Sequence, residues 1–471
     1  MLLQHRITES SRPALATLFV TLLLSGMSAL AVAGINSPFI YIGTLGVASI
    51  VILRYPLAGV TSAIAATMIW ERFFTLTPFA LGETLYKLYP LDVVLLVTVL
   101  AVAVQYRAGH FKRPVFSALD RTILTWTAVI TLLFLFSTFL AETKFDLAFS
   151  TWKNYVFYAL LYVAMRYLVR SAHDFSLVIR TMLWSGVAII VFQVIGLAQA
   201  QGLWTEFTPL STEGKRLLAP THAFYLTLPF IILLFRSEIK RYASEFLRWR
   251  PWLLWIWGFG ALVSLTRHLW VSLVAQIGAL YAQSKEARVT MQQYAKKPIA
   301  VILVLGAIML WLFALAPSLH TNIEVLDEGR ALMLRFSSFF STGDVSFDWR
   351  KSLWQESIQL YADNPWLGIG FGREITFPLP GFIYTTEVRN LHNSPLGILL
   401  QGGLVAMIAF LFMLLGAWRL YRAHTHDILP YAAMLGGFLV NSLFGTYFEI
   451  NLLVLFFWLI LGLMRARIEA K

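Results

Sequence analysis

Apolar runs recur along almost the whole chain, separated by short polar breaks. They fall at about 13–33, 38–53, 55–70, 90–106, 119–140, 147–169, 176–198, 219–236, 251–266, 269–283, 298–316, 394–417, 430–447 and 450–464. A helix that crosses ~30 Å of hydrocarbon needs roughly 20 such residues, with ~17 as a lower limit. The pairs 38–53/55–70 and 251–266/269–283 contain short members that could be re-entrant or broken, so the pattern predicts 12–14 transmembrane helices. The fold class is an all-α polytopic membrane protein. It divides into N-terminal transmembrane helices (1–316), a long outer loop (317–393) and C-terminal transmembrane helices (394–471).

The loop breaks the pattern. It is long, polar and mixed in charge, yet it carries Phe336, Phe339, Phe340, Trp349, Trp354, Tyr361 and Trp366, enough aromatic surface to pack. Residues 349–362 read as an amphipathic helix with Leu353, Trp354, Ile358 and Tyr361 on one face. Asp348 is the expected N-cap, and Asn364-Pro365 ends the helix. The loop is expected to cap the membrane part beside a cavity.

Composition sharpens the class. Hydrophobic residues make up 58% of the chain and charged residues 13%, against about 25% charged in soluble domains. A soluble enzyme, a disordered regulator and a nucleic-acid binder are excluded, despite the net charge of +12. With no cysteine there is no disulfide, thiolate nucleophile or Cys-ligated metal. Most Lys and Arg fall on alternate segments. The intervening short loops hold only Arg72, Lys87, Lys144, Lys215, Arg216 and Arg267. The positive-inside rule then puts both termini in the cytoplasm and the 317–393 loop outside. Arg6 and Arg12 precede a run ending Ala31-Val32-Ala33, which resembles a signal-peptidase site but reads as an uncleaved first span.

Polar groups near membrane depth are candidates for function because each is costly unless paired or hydrated. The outer ends of the spans hold Lys215, Arg216, Thr221 and His222; Ser264, Arg267 and His268; Arg389, His392, Asn393 and Ser394; and Asn441, Tyr447 and Glu449. Guanidinium groups bind phosphate oxygens bidentately, so Arg216 and Arg267 at one membrane face suit a lipid diphosphate. The plainer alternative is that each reaches ordinary head groups. His392 precedes a helix start at Asn393-Ser394-Pro395. It is either a bystander beside a cap or a base at a cavity mouth, as an imidazole of pKa ~6.5 can be. No metal-binding helix, phosphate-binding loop or nucleotide-sugar motif is present, and Leu367-Gly368-Ile369-Gly370-Phe371-Gly372 reads as a turn.

Four stretches resemble the O-antigen ligase and polymerase superfamily of bacterial inner-membrane glycosyltransferases. They are Arg216 to Pro229; Ser264-x-x-Arg267; Trp349-Arg350-x3-Trp354 through Asn364-Pro365-Trp366-Leu367-Gly368-Ile369-Gly370-Phe371-Gly372; and His392-Asn393-x3-Gly397 through Gln401-Gly402-Gly403-Leu404. His268 stands where many members have glycine. The resemblance implies a GT-C-like helical membrane fold with a periplasmic loop as a lid. It also implies a metal-independent, inverting transfer, without cofactor, of a glycan from undecaprenyl diphosphate to a sugar hydroxyl. On that reading Arg216 and Arg267 hold the diphosphate and His392 takes the acceptor proton. Lys215, His222, Arg389 and Asn393 are further substrate contacts.

For an O-antigen ligase of lipopolysaccharide biosynthesis the acceptor is lipid A–core. The alternatives are a polysaccharide polymerase or a protein O-oligosaccharyltransferase of the same superfamily, and, from a different class, a flippase for a lipid-linked sugar. A flippase should show basic residues along a path through the membrane, and Lys153 is the one mid-span cation.

Overall fold

In a computed structural model of the chain, residues 2–81, 84–111, 114–199, 218–264, 266–294, 345–378 and 385–470 are described. Helices dominate. In chain order they are α1 (Leu2–Val32), α2 (Pro38–Arg54), α3 (Pro56–Trp70), the single turn α4 (Arg72–Thr75), α5 (Pro90–Arg107), α6 (Ala118–Phe139), α7 (Phe145–Trp152), α8 (Ala159–Leu168) and α9 (Ala172–Gln199). There follow α10 (Pro220–Leu233), α11 (Arg236–Tyr242), α12 (Arg250–Val263), α13 (Arg267–Gln283), α14 (Val345–Asp363), α15 (Ser394–Ala423), α16 (Thr425–Ser442) and α17 (Asn451–Glu469). Two antiparallel hairpins interrupt them. One pairs β1 (Phe79–Leu81) with β2 (Thr84–Tyr86). The other pairs β3 (Ile375–Pro378) with β4 (Thr385–Val388), with Ile375 opposite Val388.

Among the described residues six helices are long and apolar enough to cross a membrane: Ser11–Val32, Pro90–Arg107, Ala118–Phe139, Ala172–Ile195, Ser394–Ala423 and Asn451–Glu469. Helices α10 and α11 would make a seventh, but they bend by 91°. Most of the other described runs fold into shorter pieces. The 38–70 region splits at Tyr55-Pro56 into α2 and α3, because proline disfavours helix at the residue before it and lacks the N–H that would continue the ladder. The run at 147–169 is interrupted by a π-helical turn, Lys153–Phe157. The span expected at 298–316 lies outside the described residues.

Large apolar side chains remain uncovered on the outer helices, among them Phe39, Ile50, Leu132 and Val274. Water would penalise such exposure, whereas lipid accommodates it. The chain is a multi-pass membrane protein. Helices α3 and α17 are enclosed by protein instead, and 89% of the apolar window of α17 is buried.

The chain packs as two compact units, Met1–Met182 with Asp348–Lys471, and Leu183–Phe347. In the first, α6 starts with a reciprocal cap: Asp120 N donates to Ser117 Oγ at 3.2 Å and Ser117 N donates to Asp120 Oδ2 at 2.7 Å. Trp126 of the same helix is fully buried and its Nε1 donates to the Tyr155 carbonyl at 3.1 Å, which ties the π-turn to α6. The mid-span cation Lys153 is paired with Asp92, whose carboxylate also accepts from Tyr158 Oη at 3.0 Å. In the second unit the buried Arg250 caps the end of α10, with its Nε donating to the Leu233 carbonyl at 2.6 Å and its Nη2 to Leu234 and Thr290. Open carbonyls at a helix C-terminus favour such a cation.

Candidate functional site

The segment around His392 is built by interlocking α14, the β3–β4 hairpin and α15. Helix α14 begins at Val345, four residues earlier than the pattern predicts, so Asp348 sits in its first turn as a favourable charge rather than as its N-cap. Its expected end holds: the last helical residue is Asp363, just before Asn364-Pro365. Leu353 of α14, Ile375 and Phe377 of β3, Ile369, Leu391 and Leu400 form a buried apolar cluster. The expected face holds only in part: Leu353 and Tyr361 turn to the cluster with Trp349 and Leu360, whereas Ile358 is exposed; the hairpin that completes the cluster has no counterpart in the sequence pattern.

The glycine-rich run after α14 does more than turn. Gly403 breaks α15 with φ 65° and ψ −165°, and the backbone of 365–371 lies in the gap. Ile369 N donates to the Leu400 carbonyl at 2.9 Å and Gly370 N to that of Gln401 at 3.2 Å. In return Leu404 N donates to Pro365 O at 2.8 Å and Val405 N to Trp366 O at 3.2 Å. Such contact excludes side chains. A Cβ on Gly368 would stand 2.4 Å from the Leu400 carbonyl oxygen, and one on Gly403 2.2 Å from that of Trp366.

Above this junction, Asn393 caps α15, its Oδ1 accepting from Leu396 N at 3.0 Å, with Pro395 in the first turn as expected. That fixes Asn393 as a structural cap. Ser394 Oγ donates to the Gly445 carbonyl at 3.0 Å and accepts from Phe448 N at 3.2 Å, which fastens the start of α15 to the turn before α17.

His392 has φ 51°, a left-handed conformation uncommon for residues other than glycine. Its neighbours hold it there. Trp354 Nε1 donates to the Leu391 carbonyl at 2.8 Å. The Trp349 ring meets the imidazole edge-on at 5.3 Å between centroids, and stacks on Phe377. Burial, with a smaller contribution from the Arg350 guanidinium, pushes the imidazole down to about 4. The ring is therefore neutral at pH 7, with a nitrogen lone pair available to accept a proton.

Arg389, three residues earlier, lines a narrow, partly enclosed cavity of about 10 Å³ together with Thr151, Asn154, Tyr155, Asn390, Gln401, Phe448 and Glu449. Glu449 is buried, and burial raises its carboxyl to about 8 against the opposing pull of Arg389. Sequence reading had grouped Glu449 with the outer polar residues without giving it a role. The signal was an acidic residue inside the otherwise apolar C-terminal hairpin, which nothing in the one-dimensional pattern pairs with Arg389.

The second unit carries His222 and Arg267. His222 is fully buried in the first turn of α10, its ring 5.5 Å from Phe192 and 6.3 Å from Tyr225. Arg267 is the first residue of α13, after the N-cap Thr266. A guanidinium at the N-terminus of a 17-residue helix adds its charge to the positive end of the macrodipole, a combination that favours anions. His268 continues α13, so the glycine that many superfamily members carry at this position is not required for the turn. Lys215 and Arg216 lie outside the described residues. Among the described residues no three His, Asp or Glu side chains converge as a metal site would need.

No curated protein matches the chain. Residues 252–411 match the family model of O-antigen ligase. The match spans Arg267, the α14 helix, the glycine junction and His392, and leaves Arg216 outside. Covering about a third of the chain and holding three of the four stretches noted in the sequence, it supports the O-antigen ligase superfamily for this membrane protein.

Proposed function

We propose that the protein is an O-antigen ligase of the bacterial inner membrane. It transfers a glycan from undecaprenyl diphosphate to a sugar hydroxyl of lipid A–core at the periplasmic face, with both termini cytoplasmic. The acceptor oxygen attacks the anomeric carbon from the side opposite the diphosphate. The C–O bond to phosphate breaks, its electron pair leaves with the undecaprenyl diphosphate, and the acceptor proton passes to the His392 imidazole. The configuration inverts. Arg216 and Arg267 meet the charge that grows on the leaving group, a form of electrostatic stabilisation that is strongest where water is excluded. Lys215, His222 and Arg389 contribute further substrate contacts. The guanidinium groups do the work a divalent ion would otherwise do.

The observation that carries this reading is the neutral, half-buried His392, held in a left-handed backbone by two tryptophans of the loop helix inside the O-antigen ligase match. An imidazole held near 4 is a weak base in the free protein.

Purified protein supplied with undecaprenyl-diphosphate-linked glycan and lipid A–core should form the joined product. His392→Ala and Arg267→Ala should reduce it by at least about a hundredfold, the low end expected for loss of a general base or an oxyanion-stabilising group. Wild-type rates in both variants would refute the mechanism.

A further inference from the structure

Two irregular pieces of helix meet at the cavity beside Arg389. Asn154 and Tyr155 belong to the π-turn, and Gln401 sits two residues before the break at Gly403. Helical irregularities of this kind are costly and cluster at functional positions. Their effect here is to turn polar side chains into one space. Tyr155 Oη, Gln401 Oε1 and both Glu449 carboxyl oxygens are buried and have no hydrogen-bond partner. Tyr155 is 1% exposed, Gln401 2% and Glu449 8%. Four orphaned polar atoms lining one cavity are exceptional, because each leaves its desolvation cost unanswered.

The surroundings keep these atoms in place. Asn154 Nδ2 donates to the Glu449 backbone carbonyl at 2.6 Å, fixing the turn before α17. A Cβ on Gly397 would fall 2.5 Å from Glu449 Oε1, so glycine there leaves room for the carboxyl against the first turn of α15.

The atom types select the ligand. The Gln401 amide oxygen accepts hydrogen bonds, the Tyr155 phenol donates or accepts, and the Glu449 carboxyl, kept protonated by burial, offers an O–H donor beside acceptor lone pairs. A phosphate group is too bulky for the space. A sugar hydroxyl brings an O–H donor for the oxygens and lone pairs for Arg389 and Asn390. At about 10 Å³ the space admits about one water-sized group, room for a single hydroxyl reaching in rather than for a ring.

We infer that this cavity is a sugar subsite, in which Glu449, Gln401 and Tyr155 bind a hydroxyl of one of the two glycan substrates and thereby select it. The inference rests on the glycan-transfer reading above and assigns one part of that substrate to named atoms.

The test uses full-length protein in lipid nanodiscs, with Tyr155→Phe and Glu449→Gln as variants that keep side-chain shape. KM and kcat are measured separately for undecaprenyl-diphosphate-linked glycan and for lipid A–core. Direct binding of each is measured in the His392→Ala background, where turnover does not intervene. Tyr155→Phe removes a hydroxyl that has no partner in the unliganded protein, so thermal stability should hold or rise. KM and Kd for one glycan substrate should meanwhile rise about tenfold, the loss of roughly one hydrogen bond to a site built for it, with kcat within about twofold. Glu449→Gln should weaken the same substrate and not the other.

Unchanged KM and Kd for both substrates in both variants, alongside an active wild type, would overturn the subsite and leave a cavity that holds water only. Tight binding of sodium or magnesium lost in Glu449→Gln, with glycan affinities unmoved, would overturn it in favour of a cation site. An inactive wild type that also binds neither glycan would instead remove the reading on which the inference stands.

Discussion

Replacing Gly403 with alanine tests how the loop and the membrane helix are joined. Gly403 has φ 65° and ψ −165°, a region populated essentially by glycine and worth about 1–3 kcal/mol of strain to any other residue. The new Cβ would also lie 2.2 Å from the Trp366 carbonyl oxygen and 2.3 Å from its carbon, both backbone atoms that no rotamer change can move aside. The strands must part, which removes the bonds from Leu404 N to Pro365 O and from Val405 N to Trp366 O. At about 0.5–1.5 kcal/mol net for each bond, the total loss is roughly 2–6 kcal/mol. Gly436 of α16 is the control. It is helical and a Cβ there meets nothing within 4 Å, so Gly436→Ala should be neutral or stabilise by up to about 1 kcal/mol. Thermal unfolding of both variants in the same detergent, with transfer assayed alongside, reads the difference. Gly403→Ala should melt well below wild type and lose transfer through displacement of His392. Equal melting points for the two variants would refute the interlocked-backbone account.

Other consequences follow from the same geometry. The His392 imidazole, pushed down to about 4 by burial and Arg350, stays neutral through mildly acid conditions. Measured at pH 5.5, kcat/KM for the donor, which reports the free protein, should keep nearly all of its neutral value, where an unperturbed imidazole would leave only about a tenth; an acid limb centred near 6.5 would contradict this. Glu449 is raised to about 8 in the folded protein, so the unfolded chain ionises first. Stability should therefore fall as pH rises from about 4.5 to 8, and Glu449→Gln should flatten that slope in detergent melts. Lys153→Met leaves Asp92 buried without its cation and should cost about 3–5 kcal/mol; adding Asp92→Asn should recover part of that loss, and strict additivity would exclude the pairing. Excess EDTA should leave transfer unchanged, and activity restored by an added divalent ion would count against transfer driven by guanidinium groups alone.

The helical class was legible because lipid imposes a one-dimensional rule: long apolar runs must be helical to satisfy their own backbone. The end of α14 at Asn364-Pro365 and the Asn393 cap were legible for similarly local reasons. What failed to show in the sequence depends on distant segments. Glycines 368 and 403 lie 35 positions apart and look like separate turn signals, yet each is required by the other's backbone. Lys153 reads as an isolated cation until Asp92 is seen beside it. The 219–236 run reads as one span, but the chain turns by 91° after Leu233, at a residue pair with no proline or glycine to announce it. Glu449 joins Arg389 and Tyr155 only through the folding of α7, the π-turn, α15 and the turn before α17 around one cavity.

The central claim is that this chain forms a glycosidic bond from a lipid-diphosphate donor, with His392 taking the proton. The most direct measurement is mass-spectrometric detection of glycan joined to lipid A–core by purified wild-type and His392→Ala proteins of matched melting temperature. Product should form with the wild type and fall at least about a hundredfold in the variant. Equal product from both, or transbilayer movement of the lipid-linked glycan with no new bond formed, would contradict it.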